Sequence, residues 1–148
     1  MHTTFPDLTQ RPPRSAHSRL GGYVLLPRML DKGRAEIAGN SGEYRFACPL
    51  DQRILAFVGL DAEPLKAELA RGKGDGEILE WIKCHQRNKH SPANIDAWTQ
   101  EQIARGPDAE SQEFFQELLQ GAGPHRTDIK TWFDLLDLDD YVSFGGKA

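Results

Sequence analysis

The sequence predicts an all-α protein: a compact single-domain bundle of about six to seven short helices, with little or no sheet. Apolar residues recur at helical spacing in one segment after another, as at Leu50, Ile54, Phe57 and Val58 and again at Ile129, Trp132, Phe133 and Leu136. Helix-starting residues and helix-ending glycines bound these segments, and the connections between them are short. The length of 148 residues suits one domain with a real core, and 39% apolar with 27% charged residues suits a globular chain.

Residues 1–20 read as an extended lead-in, because Pro12 and Pro13 prevent a helix there. Residues 21–148 read as the helical domain. Gly21-Gly22 allows a sharp entry into a first helix from about Tyr23 to Ile37, with Pro27 in or near its first turn. Gly39 to Gly42 is a turn. Tyr44 to Phe46 alternates and is the one place where sheet is expected. Pro49 opens a second helix, which Gly59 ends. Asp61, Asp75 and Asp108 read as the starts of the third, fourth and sixth helices, where a carboxylate meets the positive end of the helix. Ser91-Pro92 is an N-cap followed by proline at the first helical position, and opens the fifth. Thr127 or Asp128 starts the seventh.

The charge is uneven. Residues 1–38 hold six Lys/Arg against three Asp/Glu, residues 39–106 nine against ten, and residues 107–148 three against nine. A basic beginning and an acidic end favour contact between them. The net charge of −4 argues against nucleic acid as a partner. No apolar run is long enough to span a membrane, and the lead-in has no secretory signal, so a cytoplasmic protein is expected. Cys48 and Cys84 fit that compartment as reduced, structural thiols.

The candidate site begins in Arg28-Met29-Leu30-Asp31-Lys32-Gly33-Arg34, which packs four charges beside an apolar face formed by Leu26, Leu30, Gly33 and Ile37. Charges this close to a core need partners. Arginine forks suit a carboxylate or phosphate, so the group binds an anionic ligand or ties helices together. Asp51 and Arg53 could extend either version. The acidic run Asp134, Asp137, Asp139 and Asp140 ends the last helix, where it opposes the macrodipole. Solvent, a divalent cation or the first helix could compensate it. The expected contact places Arg28, Lys32 or Arg34 near Asp134 or Asp137; a closed salt bridge there favours a binding module, and a concave site where these charges converge beside Trp132 or Tyr23 favours an enzyme. Trp81, Trp98 and Trp132 read as core. Cys84, His85 and His90 lack metal-ligand spacing, and His17 carries no signal. No metal and no cofactor is expected.

Several of these segments recur in order: Gly21-Gly22, Arg28-Met29-Leu30-Asp31-Lys32-x-Arg34, Gly59-Leu60-Asp61, Glu77-Ile78-Leu79-Glu80-Trp81, Ile95-x-x-Trp98, and Asp128-Ile129-x-Thr131-x-Phe133-Asp134-x-x-Asp137. Together they resemble the bacterial family catalogued as domain of unknown function 5069. The resemblance implies a small helical protein and carries over no catalytic residue. Two functions follow from the residues themselves. The first is a non-catalytic module that binds a small anionic metabolite or a protein partner. The second is a small cofactor-independent enzyme acting on an anionic metabolite through the Arg/Asp cluster.

Overall fold

Seven helices and a two-residue hairpin form the protein in a computed structural model, which describes residues 4–147. The order is β1 (Arg19–Leu20), β2 (Tyr23–Val24), α1 (Leu26–Ile37), α2 (Pro49–Val58), α3 (Ala62–Leu69), α4 (Asp75–His85), α5 (Pro92–Ala104), α6 (Gln112–Ala122) and α7 (Trp132–Ser143). The architecture is the mostly helical one the sequence predicts.

The sheet lies elsewhere than expected. Tyr44 to Phe46 belongs to a segment of turns, and β1 pairs antiparallel with β2, Leu20 opposite Tyr23. Gly21 and Gly22 connect the strands at φ 61° and 86°. A two-residue turn of this hand needs positive φ at both positions, which glycine adopts without steric cost. The hairpin takes Tyr23 and Val24 out of the first helix. Leu25 follows at φ 71°, and α1 starts at Leu26 with Pro27 in its first turn. A left-handed leucine costs about 1–3 kcal/mol and persists only where its surroundings hold it. Leu25 is fully buried, and its N–H donates to the Ala16 carbonyl at 3.0 Å.

Other boundaries follow the sequence more closely. Proline opens α2, Gly59 closes it in a left-handed conformation, and the Ser91 hydroxyl accepts the Asn94 N–H at the start of α5. Three helix starts are corrected. Gly74, not Asp75, is the cap of α4; its N–H donates to Glu77, which frees the Asp75 carboxylate for arginines. Asp108 closes a turn with Ser111, and α6 begins at Gln112. Thr131, not Thr127 or Asp128, caps α7 by accepting the Asp134 N–H at 3.2 Å. Asp134 therefore sits in the first turn of α7, where a carboxylate agrees with the macrodipole instead of opposing it.

The core has two parts. The larger surrounds α1, with Leu26, Met29 and Leu30 packed among side chains that include Ile54, Leu65, Ile78 and Phe133. Trp81 and Trp98 lie against it, partly buried. The smaller joins α6 to α7 through Phe115, Leu119, Ile129, Leu135 and Leu138, with Trp132 at its edge. Residues 4–18 run along the helices. Leu8 and Ala16 are buried, and the Leu8 N–H donates to the Asn40 carbonyl at 2.8 Å.

Candidate functional site

Helix α1 presents five charged side chains, and each finds an opposite charge on a different part of the chain; Glu36 takes Lys66 of α3 at 2.7 Å. Arg28 reaches Asp140 of α7, with Nη1 to Oδ2 at 2.8 Å and Nη2 to Oδ1 at 3.4 Å. Lys32 Nζ lies 2.9 Å from Asp51 Oδ1 in the first turn of α2. Arg34 donates to Asp75 at 2.7 Å and to the Lys73 carbonyl at 3.0 Å. Asp31 accepts from the Arg14 backbone and side chain, at 2.9 to 3.1 Å. Arg28, Lys32 and Arg34 are each at most 3% exposed, so these ions have left water and depend on their partners.

The expected contact between the first and last helices therefore forms through Asp140, and the places given to Asp134 and Asp137 are corrected. Those two carboxylates face the lead-in. Asp137 accepts from the Ser15 hydroxyl at 2.7 Å and lies 3.0 Å from His17 Nδ1; Asp134 lies 3.5 Å from His17 Nε2. The trio is not a nucleophile relay. Ser15 and His17 Nδ1 share one carboxylate, whereas a base would turn its far nitrogen to the hydroxyl. The helical register explains the change of partner. Asp140 and Asp137 are three residues apart on α7, and a fork from α1 reaches the one nearer the end. Trp132 is also apart from the charges: its ring meets Phe115 edge-on at 5.0 Å.

Arg28 and Lys32 share one concavity. A cavity of about 890 Å³ opens between α1, residues 42–48 and the end of α7. Arg28, Lys32, Tyr44, Cys48 and Asp139 line it, with Leu50 and Leu136 on the apolar side. Tyr44 ties its wall to its floor. The phenol donates to Asp140 at 2.7 Å, and the Arg28 guanidinium lies 5.5 Å from the ring centroid. Burial, then the bond to the Asp140 carboxylate, holds the Tyr44 phenol protonated well above its ordinary pKa. Cys48 caps α2, and Lys32 donates to its Sγ at 3.3 Å. Ala47 precedes it at φ 61°, with its N–H on Asp51 Oδ2 at 2.9 Å. Burial raises the Asp51 carboxyl pKa against the pull of Lys32, and burial together with Asp140 raises that of Asp139.

The remaining candidates border other clefts. Asp31 and Arg34 lie with Arg14 and Asp75 beside one of about 490 Å³ under the lead-in. Burial alone would raise the Asp75 carboxyl, but hydrogen bonds from Arg14 and Arg34 hold it below its ordinary pKa. Asp134 and Asp137 border a shallow one of about 340 Å³ with Tyr141. Sequence reasoning missed Tyr44 and Cys48 as parts of one wall, and it missed His17. Pro49 was the available signal for Cys48, since a proline at the first helical position makes the preceding residue the cap.

Among the described residues, no group of three or more His, Cys, Asp or Glu is placed to hold a metal ion, and no helix is long and apolar enough to cross a membrane. No curated protein matches the chain. A family model described as a domain of unknown function, DUF5069, matches residues 10–142, which takes in α1, most of the residues that line the cavity and all but the last residue of α7. The chain belongs to the DUF5069 family.

Proposed function

We propose that the cavity between α1, residues 42–48 and α7 binds a small anionic metabolite, and that the protein acts through this binding and not through catalysis. One observation carries the reading: Arg28 and Lys32, two nearly buried cations, both line a cavity of a size that suits a small molecule. Asp140 and Asp51 hold them in place before any ligand arrives, so a carboxylate or phosphate meets preoriented donors whose dehydration has already been offset. Arg45 adds an exposed cation at the rim. Residues 21–148 make one domain in this reading, with the lead-in laid across it. The thiols of Cys48 and Cys84, which are not joined, suit a cytoplasmic site, and the net charge of −4 speaks against nucleic acid as a partner.

A second reading rests on a separate contact. Lys32 donates to Cys48 Sγ, so a nucleophile and a cation share one wall, and Asp139 adds a carboxyl that holds its proton more tightly than usual. Those groups suit an enzyme acting on the same anion.

Calorimetric titration of citrate and of inorganic phosphate tests the first reading, with Arg45→Glu as a rim variant that leaves the core alone. Saturable binding weakened by about tenfold on charge reversal supports it. Binding that Arg45→Glu leaves unchanged places the anion elsewhere. Alkylation by iodoacetamide adds a footprint. A bound anion shields Cys48 and leaves exposed Cys84 reactive. Cys48→Ser separates the readings: a binding module keeps its affinity, whereas an enzyme keeps its affinity and loses turnover.

A further inference from the structure

We propose that the cleft between the β1–β2 turn and helices α4 and α5 is a second ligand site, one that takes a small anion carrying a compact aromatic or branched apolar body. This cleft has a volume of about 410 Å³ and shares no residue with the cavity that contains Arg28 and Lys32, so the inference stands apart from the function proposed above.

Its charge is one-sided. Arg19, Lys83 and Lys89 line it against a single carboxylate, Asp96. None of the three cations is locked to a buried partner. Arg19 lies 3.8 Å from Asp96, and Lys83 lies 3.2 Å from Glu80, in both cases with exposed side chains that water screens. Lys89 donates to the Lys83 carbonyl in an exposed bond that water can replace. These cations can turn to an incoming anion with little loss. The start of α5 adds to them. Ser91 caps the helix and Pro92 lines the cleft, so the positive end of a 13-residue helix borders the same space.

The walls are apolar and shaped. Tyr23, Pro92 and Ile95 line the cleft, and the Phe57 ring behind Tyr23 stacks on Trp98 at 4.8 Å and on His90 at 3.7 Å. His90 Nε2 donates to the Phe57 carbonyl at 2.7 Å, which fixes the ring in the cleft wall. The turn contributes bare backbone. A side chain on Gly21 would come within 2.7 Å of Leu79, and one on Gly22 within 3.2 Å of Ile95. The turn thus stays free of side chains beside the three cations. A bare inorganic anion would use the charge and waste the walls. A neutral apolar molecule would do the reverse. A phosphate monoester or carboxylate on a compact apolar body uses both.

Phenyl phosphate is the probe, titrated into the full-length ¹⁵N-labelled protein, with inorganic phosphate in a parallel arm. The expected result is saturable shifts at the Gly21, Gly22 and Ile95 amides, read separately from any at Tyr44 and Arg45, which report the other cavity. Inorganic phosphate should bind at least about tenfold more weakly, since it buries no apolar surface. The double reversal Lys83→Glu with Lys89→Glu, on exposed positions, should weaken phenyl phosphate by about tenfold or more. Asp96→Asn should tighten it by about two- to fivefold by removing the one opposing charge, and a gain of affinity cannot arise from misfolding. Unsaturable shifts, equal affinity for the two probes, or indifference to the charge reversals would each overturn the site.

Discussion

Arg28 touches three parts of the chain with one guanidinium: Asp140 at the end of α7, the Arg14 carbonyl in the lead-in, and the Tyr44 ring. Its side chain is 4% exposed and that of Asp140 is 8% exposed, so truncation strands a carboxylate away from water. Arg28→Ala is expected to cost about 3–5 kcal/mol in urea unfolding, where an exposed pair would cost about 0–1 kcal/mol. A near-neutral result accompanied by lost anion binding would assign Arg28 to the ligand instead. Asp75 offers a test by pH. Its folded pKa is lowered, so its stabilisation is complete above the ordinary carboxyl value of 3.8 and is lost as pH falls through the folded value. Asp75→Asn should therefore lower stability near neutrality, and its gap from the wild type should close on acidification through that window. A gap that is constant with pH would refute the linkage. The need for partners on α1 was legible in the sequence, because three cations flank an apolar stripe. Which partner each takes was not. Asp140 lies 112 residues from Arg28, and one turn of α7 decides between it and Asp137.

Local chemistry made most helices readable. Pro49, Gly59 and Ser91-Pro92 act through the backbone within a few residues, and each boundary they mark is where the sequence places it. The hairpin escaped because two-residue strands carry no alternation. Its signal was Gly21-Gly22, which also serves as a helix entry in the sequence reading. The start of α7 escaped because Thr127, Asp128 and Thr131 can all cap, and the Arg126 pair had already taken Asp128. Packing gives the helices unequal tolerance. Gly33 of α1 is buried, and a Cβ there would sit 2.7 Å from Leu69 Cδ1 and 3.1 Å from Phe46. Leu69 is itself fully buried and has little room to move. Gly33→Ala is expected to destabilise by about 1–3 kcal/mol. Gly121→Ala, inside α6 with nothing within 4 Å of its Cβ, should stabilise by about 0.5–1 kcal/mol. Thermal unfolding of the two variants checks the contrast, and a stabilised Gly33→Ala would show that α1 and α3 are looser than the packing implies.

Across the whole molecule, the charge asymmetry becomes a set of straps. The basic beginning and the acidic end meet twice: at Arg28–Asp140, and where Ser15 and His17 hold Asp137 and Asp134. The lead-in does the second job from outside the helices, and its fit is more than electrostatic. Leu8 is 1% exposed, Ala16 is fully buried, and the Ala16 carbonyl accepts from the strained Leu25 at the start of α1. Arg14 bridges Asp31 and Asp75, so it supports α1 and α4 together. Removing residues 1–18 would expose the surface that Leu8 covers, worth about 1.5–3 kcal/mol, and leave the Leu25 N–H without its acceptor, worth about 1–3 kcal/mol. Deletion is therefore expected to lower unfolding free energy by several kcal/mol, a large fraction of the stability of an ordinary domain. The loss should fall mainly on α1, because Leu25, Arg28 and Asp31 all lean on the deleted segment. Hydrogen exchange would locate it there. A truncated chain with full stability and protected α1 amides would show that the segment is only a tether, and that α1 holds its line of charges without it.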